Sequence, residues 1–303
     1  MNKLTIGTRG SLLAINQAQQ IKNLLESSHT QLTVDLKIIK TTGDKIQDKP
    51  LPEIGNKGLF TAELESELLE HEIDLAVHSL KDLPTQLPSG LIYAGSPNRE
   101  DPRDAFISQK WHSIKKVPKG GTIATGSSRR KAQLLGYRKD LNIVDLRGNI
   151  DTRLKKLQDG NWDGIIMASA ALKRLGLDAQ IAELLDIDWF TPSAGQGAIG
   201  LEIADNRIDI ASLINAICHK ETTMCCSAER NFLAKLEGGC STPIGCNARV
   251  ENGKFIISGF LAAPDGSRKL QSKLEGAIGD VNKLSLQLAH EHLNNGAKEI
   301  LSS

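Results

Sequence analysis

The chain has 303 residues, a formal net charge of +1, 40% hydrophobic and 24% charged residues. That length exceeds one typical domain, and the composition is that of an ordinary globular protein rather than a disordered or fibrous one. Near-neutrality and 4% aromatic residues argue against a nucleic-acid binder, and no run nears the ~20 apolar residues that span a bilayer.

Leu4–Gly7 reads as a strand that ends at Thr8-Arg9-Gly10-Ser11. Ser11 can cap a helix with apolar positions at Leu12, Ile15, Ile21 and Leu25. No signal-peptide stretch precedes this strand, so a cytoplasmic protein is expected. Leu32, Val34, Leu36 and Ile38 alternate with polar residues, the pattern of a half-buried strand. Residues 41–58 carry Gly43, Pro50, Pro52, Gly55 and Gly58 with little periodicity, which predicts a long mobile loop, either a lid or a disordered insertion. An acidic amphipathic helix over Leu59–His71 and a buried strand over Ile73–Val77 follow. Pro84 cannot continue a strand ladder, so Lys81 and Asp82 emerge at the same sheet edge as Arg9. A carboxylate there can bind N–H donors, stabilise a developing cation or move a proton; an exposed surface pair is the ordinary alternative. His78 reads as a core or supporting histidine.

The polar stretch Ser96–Asp104 looks like a crossover, after which residues 105–191 repeat the strand–helix alternation. Three arginine-bearing clusters stand where strand-like runs give way to helix-like ones. They are Thr125-Gly126-Ser127-Ser128-Arg129-Arg130, Leu146-Arg147-Gly148-Asn149-Ile150-Asp151-Thr152-Arg153, and Leu172-Lys173-Arg174. In an open α/β sheet such junctions converge at the carboxyl ends of the strands. Guanidinium forks beside helix N-termini hold carboxylates or phosphates, so several together point to a ligand with many anionic groups. Pro192–Gly197 reads as a second flexible connection, followed by a strand, Ala198–Ile203, and a helix. Similar halves on each side of two crossings suggest two lobes hinged across a cleft.

From about residue 220 the texture changes. A helix over Thr222–Leu236 precedes Gly238-Gly239-Cys240, and hairpin signals stand at Asn252-Gly253 and Pro264-Asp265-Gly266. A last helix covers about 280–294, completing a small α+β domain. The five cysteines are an odd number with no C-x-x-C pair, which predicts reduced thiols and no metal site. Cys240 follows two glycines and is nucleophilic if cations lower its pKa, or else a structural thiol. Cys218, Cys225 and Cys226 fall in helical patterns and read as core.

Taken in order, these segments resemble the porphobilinogen deaminase family. The resemblance rests on Thr8-Arg9-Gly10-Ser11, Gly58-Leu59-Phe60, His78–Pro84, Arg99–Ala105, Leu146-Arg147-Gly148-Asn149, Leu172–Gly176, Gly195-Gln196-Gly197 and Leu236–Cys240. It implies a transferase that links four porphobilinogen molecules head to tail into hydroxymethylbilane and releases ammonia. It implies a covalent dipyrromethane cofactor attached through Cys240, with Asp82 and Lys81 catalytic. Ser79, Thr125, Ser127, Arg129, Arg130 and Arg147 would bind the cofactor together with Asp82 and Lys81. Arg9, Ser11, Gln17, Arg147, Arg153, Arg174 and Gln196 would bind substrate or the growing oligopyrrole, and Lys57 and Phe60 would belong to the lid. Two departures stand out: Gly126 where the family commonly has Ser or Ala, and Asn56 in place of a usual glycine.

The expected fold is α/β, with two periplasmic-binding-protein-like lobes hinged across a cleft and a small C-terminal α+β domain with an antiparallel sheet. The expected division is residues 1–98 with 198–217, 99–197, and 218–303. No metal, nucleic acid or membrane partner is expected, and the chain is expected to be a monomer. The rival from another class is a non-catalytic anion-binding protein, which would leave Cys240 unmodified.

Overall fold

The computed structural model describes residues 2–45, 58–236 and 242–302. The chain divides into two compact units, Met1–Glu100 with Ala198–Met224 and Asp101–Gly197 with Cys225–Ser303.

The first stretch supplies β1 (Lys3–Arg9), α1 (Leu12–Ser28), β2 (Thr33–Ile39), a single turn α2 (Thr42–Lys45), α3 (Ala62–Leu69), β3 (Leu75–Ser79) and β4 (Leu91–Gly95). Next come β5 (Asp104–Ile107), β6 (Thr122–Ala124), α4 (Ser128–Tyr137), β7 (Asn142–Val144), α5 (Ile150–Asp159), β8 (Gly164–Ala168), α6 (Ser169–Arg174) and β9 (Glu183–Leu184). The chain then forms β10 (Ile199–Ala204), α7 (Ile208–Asn215) and α8 (Lys220–Lys235). It ends with β11 (Ile244–Glu251), β12 (Lys254–Ala262), β13 (Lys269–Gly276), α9 (Val281–Asn294) and α10 (Ala297–Leu301).

The sheet of the first unit runs β2-β1-β3-β10-β4, and the larger sheet of the second runs β7-β6-β8-β5-β9. In each, three parallel strands are followed by one antiparallel strand, β10 or β5, so the two sheets share one plan. Both faces of each sheet are covered, which explains strands that are apolar throughout. Leu4, Ile6, Val34, Leu75, Val77 and Leu201 meet Ile21 and Leu25 of α1, while Ala76 and Ile39 meet Leu64 and Leu68 of α3. In the second unit Ala124, Ile165 and Met167 meet Leu154 and Leu157 of α5, while Ile123 and Ile166 meet Leu134 of α4. Parallel strands with covered faces leave their carboxyl ends as one open edge, where a ligand can reach the loops. The third sheet, β11-β12-β13, is antiparallel, as the hairpin signals predicted. Asn252 and Gly253 both take positive φ, 51° and 75°, the geometry a two-residue hairpin turn demands.

Some boundaries differ from expectation. The helix expected over Leu59–His71 covers only Ala62–Leu69, because His71 turns left-handed at φ 58°. The strand expected over Ile73–Val77 is Leu75–Ser79, its register set by pairing of Leu75 with Ile6 of β1. Thr42–Lys45 is helical where a loop was expected, and residues 46–57 lie outside the described residues. Pro192–Gly197 is no loose connection. Its backbone is buried and held: Gly195 N donates to Glu229 Oε2 at 2.6 Å, and Cys246 N donates to Pro192 O at 2.9 Å. Cys225 and Cys226 are buried in α8, whereas Cys218 sits between α7 and α8, its thiol pushed up to about 11 by burial.

Candidate active site

In the first unit, β1 and β3 lie side by side, so their carboxyl ends open onto the same edge. Arg9 closes β1, and its guanidinium lies 4.1 Å from the centroid of the Phe60 ring, a cation–π contact. Ser11 caps α1 by accepting a hydrogen bond from Ala14 N at 3.3 Å. Ser79, at the end of β3, donates to Gln17 Oε1 at 3.0 Å. Gln17 is buried, and its Nε2 has no acceptor among the described residues, so one amide donor awaits a partner. β3 then enters a 3-10 turn over Leu80–Asp82, closed by Leu83 N donating to Leu80 O at 3.1 Å. Leu80 and Leu83 are buried and Lys81 and Asp82, between them, are half-buried at the surface. His78 is buried and its Nε2 lies 2.8 Å from Glu202 Oε2 on β10, which places it in the core, one of the two readings the sequence offered.

In the second unit the arginine clusters follow β6, β7 and β8, three neighbouring parallel strands, and so share one edge. Ser127 caps α4, its Oγ accepting from Arg130 N at 3.4 Å, and Thr125 Oγ1 accepts from Ser127 N at 3.3 Å. Gly126 has a spatial reason: a Cβ there would stand 2.5 Å from the Leu146 carbonyl oxygen at the end of the β7 segment. Arg129 and Arg130 are buried around one fully buried carboxylate, Asp104 of β5. Arg130 donates to Asp104 Oδ1 through Nε at 2.9 Å and Nη2 at 2.6 Å, and Arg129 Nη2 lies 2.9 Å from Oδ2. Arg129 also donates to Ser193 Oγ at 3.0 Å and Thr191 O at 2.7 Å, and Gln196 Nε2 donates to Asp104 Oδ1 at 3.0 Å. Burial pushes the Arg129 guanidinium below its ordinary pKa, and the Asp104 charge pulls it back up. Two guanidiniums around one carboxylate leave one net positive charge beside the α4 N-terminus, an electrostatic setting that favours an anion.

The other arginines on this edge are half-buried, two of them positioned by backbone carbonyls and Arg147 by a carboxylate. Arg153 Nε donates to Gly148 O at 2.6 Å, and Arg174 Nη2 donates to Gly197 O at 2.7 Å. Arg147 Nε is 3.4 Å from Asp145 Oδ2. Sequence reasoning missed Asp104, Thr191 and Ser193, the groups that fix the buried pair. Their only signal was an acidic residue in a polar crossover. Cys240 and Lys57 lie outside the described residues. Among the described residues no group of His, Cys, Asp and Glu could hold a metal ion.

Comparison with known proteins gives a family for this arrangement. Residues 4–212 match the family described as "Porphobilinogen deaminase, dipyromethane cofactor binding domain", and residues 223–294 match "Porphobilinogen deaminase, C-terminal domain". The porphobilinogen deaminase of Nitratidesulfovibrio vulgaris (strain DP4) is 46% identical over 99% of this chain and 96% of its own length. That of Lawsonia intracellularis is 46% identical over 100% of this chain and 98% of its own. A solved periplasmic substrate-binding protein of an ABC transporter from Coxiella burnetii aligns with 75% of this chain and 96% of its own, at 12% identity and a TM-score of 0.46. With both family models matched and 46% identity to these deaminases over nearly its whole length, the chain belongs to the porphobilinogen deaminase family.

Proposed function

We propose that this chain condenses four porphobilinogen molecules head to tail into hydroxymethylbilane, releasing one ammonia for each, as a step of tetrapyrrole synthesis. The observation that carries this reading is identity of 46% over 99% of the chain to a porphobilinogen deaminase. The physical chemistry of the two edges supports it. Porphobilinogen bears two carboxylates, so an elongating product accumulates negative charge and calls for several guanidiniums. Arg9, Arg147, Arg153 and Arg174 are assigned to those carboxylates, with Ser11 and Gln17 as neutral donors; Gln196, whose buried amide already donates to Asp104 Oδ1 at 3.0 Å and Pro102 O at 2.8 Å, would act by fixing the Asp104–Arg130 cluster rather than by touching substrate. Asp82 is assigned as the catalytic carboxylate: as ammonia leaves, positive charge develops on the pyrrole, and a fixed anion accepting the pyrrole N–H lowers that barrier. Lys81 beside it is assigned to proton handling at the leaving amine.

The residues present fit a dipyrromethane. The net positive charge left on the Asp104–Arg129–Arg130 cluster suits its carboxylates. Following the resemblance, Thr125, Ser127, Arg129, Arg130 and Arg147 of the second unit and Ser79, Lys81 and Asp82 of the first are assigned to the cofactor, and Cys240 would bear it as a thioether. When bound, it supplies a pyrrole carbon that accepts the first substrate unit. The division into residues 1–98 with 198–217, 99–197 and 218–303 is the domain partition that goes with this reading, with a monomeric cytoplasmic protein as its setting. No helix among the described residues is long and apolar enough to cross a membrane.

The purified protein given porphobilinogen should consume it with one ammonia released per molecule and yield a linear tetrapyrrole that cyclises on standing. Reversible binding of porphobilinogen with no ammonia would instead favour the anion-binding reading.

A further inference from the structure

We propose that Gly200 is a positioning residue for the reaction. By lacking a Cβ it seats Leu80, and with it the turn that carries Asp82, directly on β10. The inference rests on the reading of Asp82 as the catalytic carboxylate.

Gly200 pairs with His78 in the antiparallel ladder between β10 and β3. It does not take a positive φ, so conformational freedom is not the reason for a glycine here. Space is the reason. A Cβ at position 200 would stand 2.8 Å from Leu80 Cδ1, 3.4 Å from Leu80 Cα and 3.5 Å from Leu80 Cβ. Leu80 itself is 1% exposed, and its N–H donates at 3.1 Å to the carbonyl of Ala198, the residue that leads into β10.

The strands have little room to part. Ile199 pairs with Ser79 and Glu202 with Ala76, and the buried His78–Glu202 contact at 2.8 Å ties β3 to β10 beside the same place. A methyl group at position 200 must therefore be accommodated by Leu80. Leu80 opens the 3-10 turn and Leu83, buried at its other end, donates back to Leu80 O. The conflict falls on the Cδ1 tip, but the Leu80 side chain is 1% exposed and the turn is pinned at both ends, so whatever the packed side chain cannot absorb by turning aside is passed to Lys81 and Asp82. Misplacing a reacting group by about 1 Å costs on the order of a hundredfold in rate. The closest conflict is with Cδ1, the tip of a side chain, which makes it relievable by shortening residue 80.

The test is steady-state kinetics on cofactor-loaded enzyme for Gly200→Ala, Leu80→Val, the double variant, and Asp82→Asn as reference. Gly200→Ala should lower kcat on the order of 10- to 100-fold with KM within about threefold of wild type, since the carboxylate-binding arginines are untouched. Leu80→Val alone should stay within about threefold of wild type, and added to Gly200→Ala it should restore most of the lost kcat. If Gly200→Ala yields no folded protein, the double variant carries the test and must fold and turn over like Leu80→Val. Normal kcat in Gly200→Ala, or a double variant as slow as the single, overturns the positioning role while an inactive Asp82→Asn leaves the catalytic assignment standing. An Asp82→Asn enzyme with near-normal turnover removes the catalytic assignment, and the inference with it.

Discussion

The six arginines assigned to carboxylates differ in what already holds them. Arg129 and Arg130 are buried against Asp104, with further donors spent on Ser193, Thr191 and Ile166. Removing either leaves a neutral arginine–aspartate pair where the cluster had a net positive charge. Arg9, Arg147, Arg153 and Arg174 are half-buried. Leu at 129 or 130 should therefore abolish covalent cofactor loading, seen as unmodified protein mass. Leu at 9, 147, 153 or 174 should leave the cofactor in place and stall elongation, seen as trapped enzyme bearing intermediate numbers of pyrrole units. Lys should rescue only partly, because an ammonium cannot reproduce the fork. Full loading and normal kinetics in Arg129→Leu and Arg130→Leu would refute the division. These arginines were legible in the sequence because each follows an apolar run at strand spacing. Asp104 was not, because an acidic residue in a polar crossover looks the same whether it faces water or two guanidiniums.

Among the elements, those with strong local signals stand where they were expected. Ser11 caps its helix, the Asn252-Gly253 turn joins β11 to β12, and β10 and α9 match their predicted ranges within one residue. Elements set by tertiary contact differ from the sequence reading: α3 is shorter than its apolar period, and Pro192–Gly197 is held by Glu229, which accepts from Gly195 N, and by Asp104, which accepts from Gln196 Nε2. α9 also carries a titratable core residue, His292, whose Nδ1 donates to Leu288 O at 2.9 Å and whose ring meets Phe232 edge-on at 5.2 Å. Burial lowers its pKa, so the folded state prefers neutral imidazole. Stability from this group is fully present above the unfolded value of about 6.5 and is lost as pH falls from there toward the folded value. In that window each pH unit costs up to about 1.4 kcal/mol. Urea melts at pH 7.5 and 5.0 should show a smaller acid loss for His292→Gln than for wild type. Equal losses would show that His292 does not carry the acid sensitivity.

At the scale of the whole molecule, the alternation of strands and helices disclosed two α/β sheets, and their shared order, three parallel strands followed by an antiparallel one, reflects the chain crossing out at β5 and back at β10. The antiparallel third sheet was disclosed by its turns. The chemistry proposed for the molecule depends on one residue outside the described residues, Cys240, whose case rests on its Gly-Gly setting and its place in the family motif. A thioether survives acid and reductant, whereas a disulfide or a bound ligand does not. The most direct test is the intact mass of acid-denatured protein made in cells that synthesise porphobilinogen. The mass should exceed that of the sequence by one two-pyrrole adduct, mapping to the peptide that contains Cys240 and absent from Cys240→Ser. Wild-type protein at the unmodified mass would contradict the account.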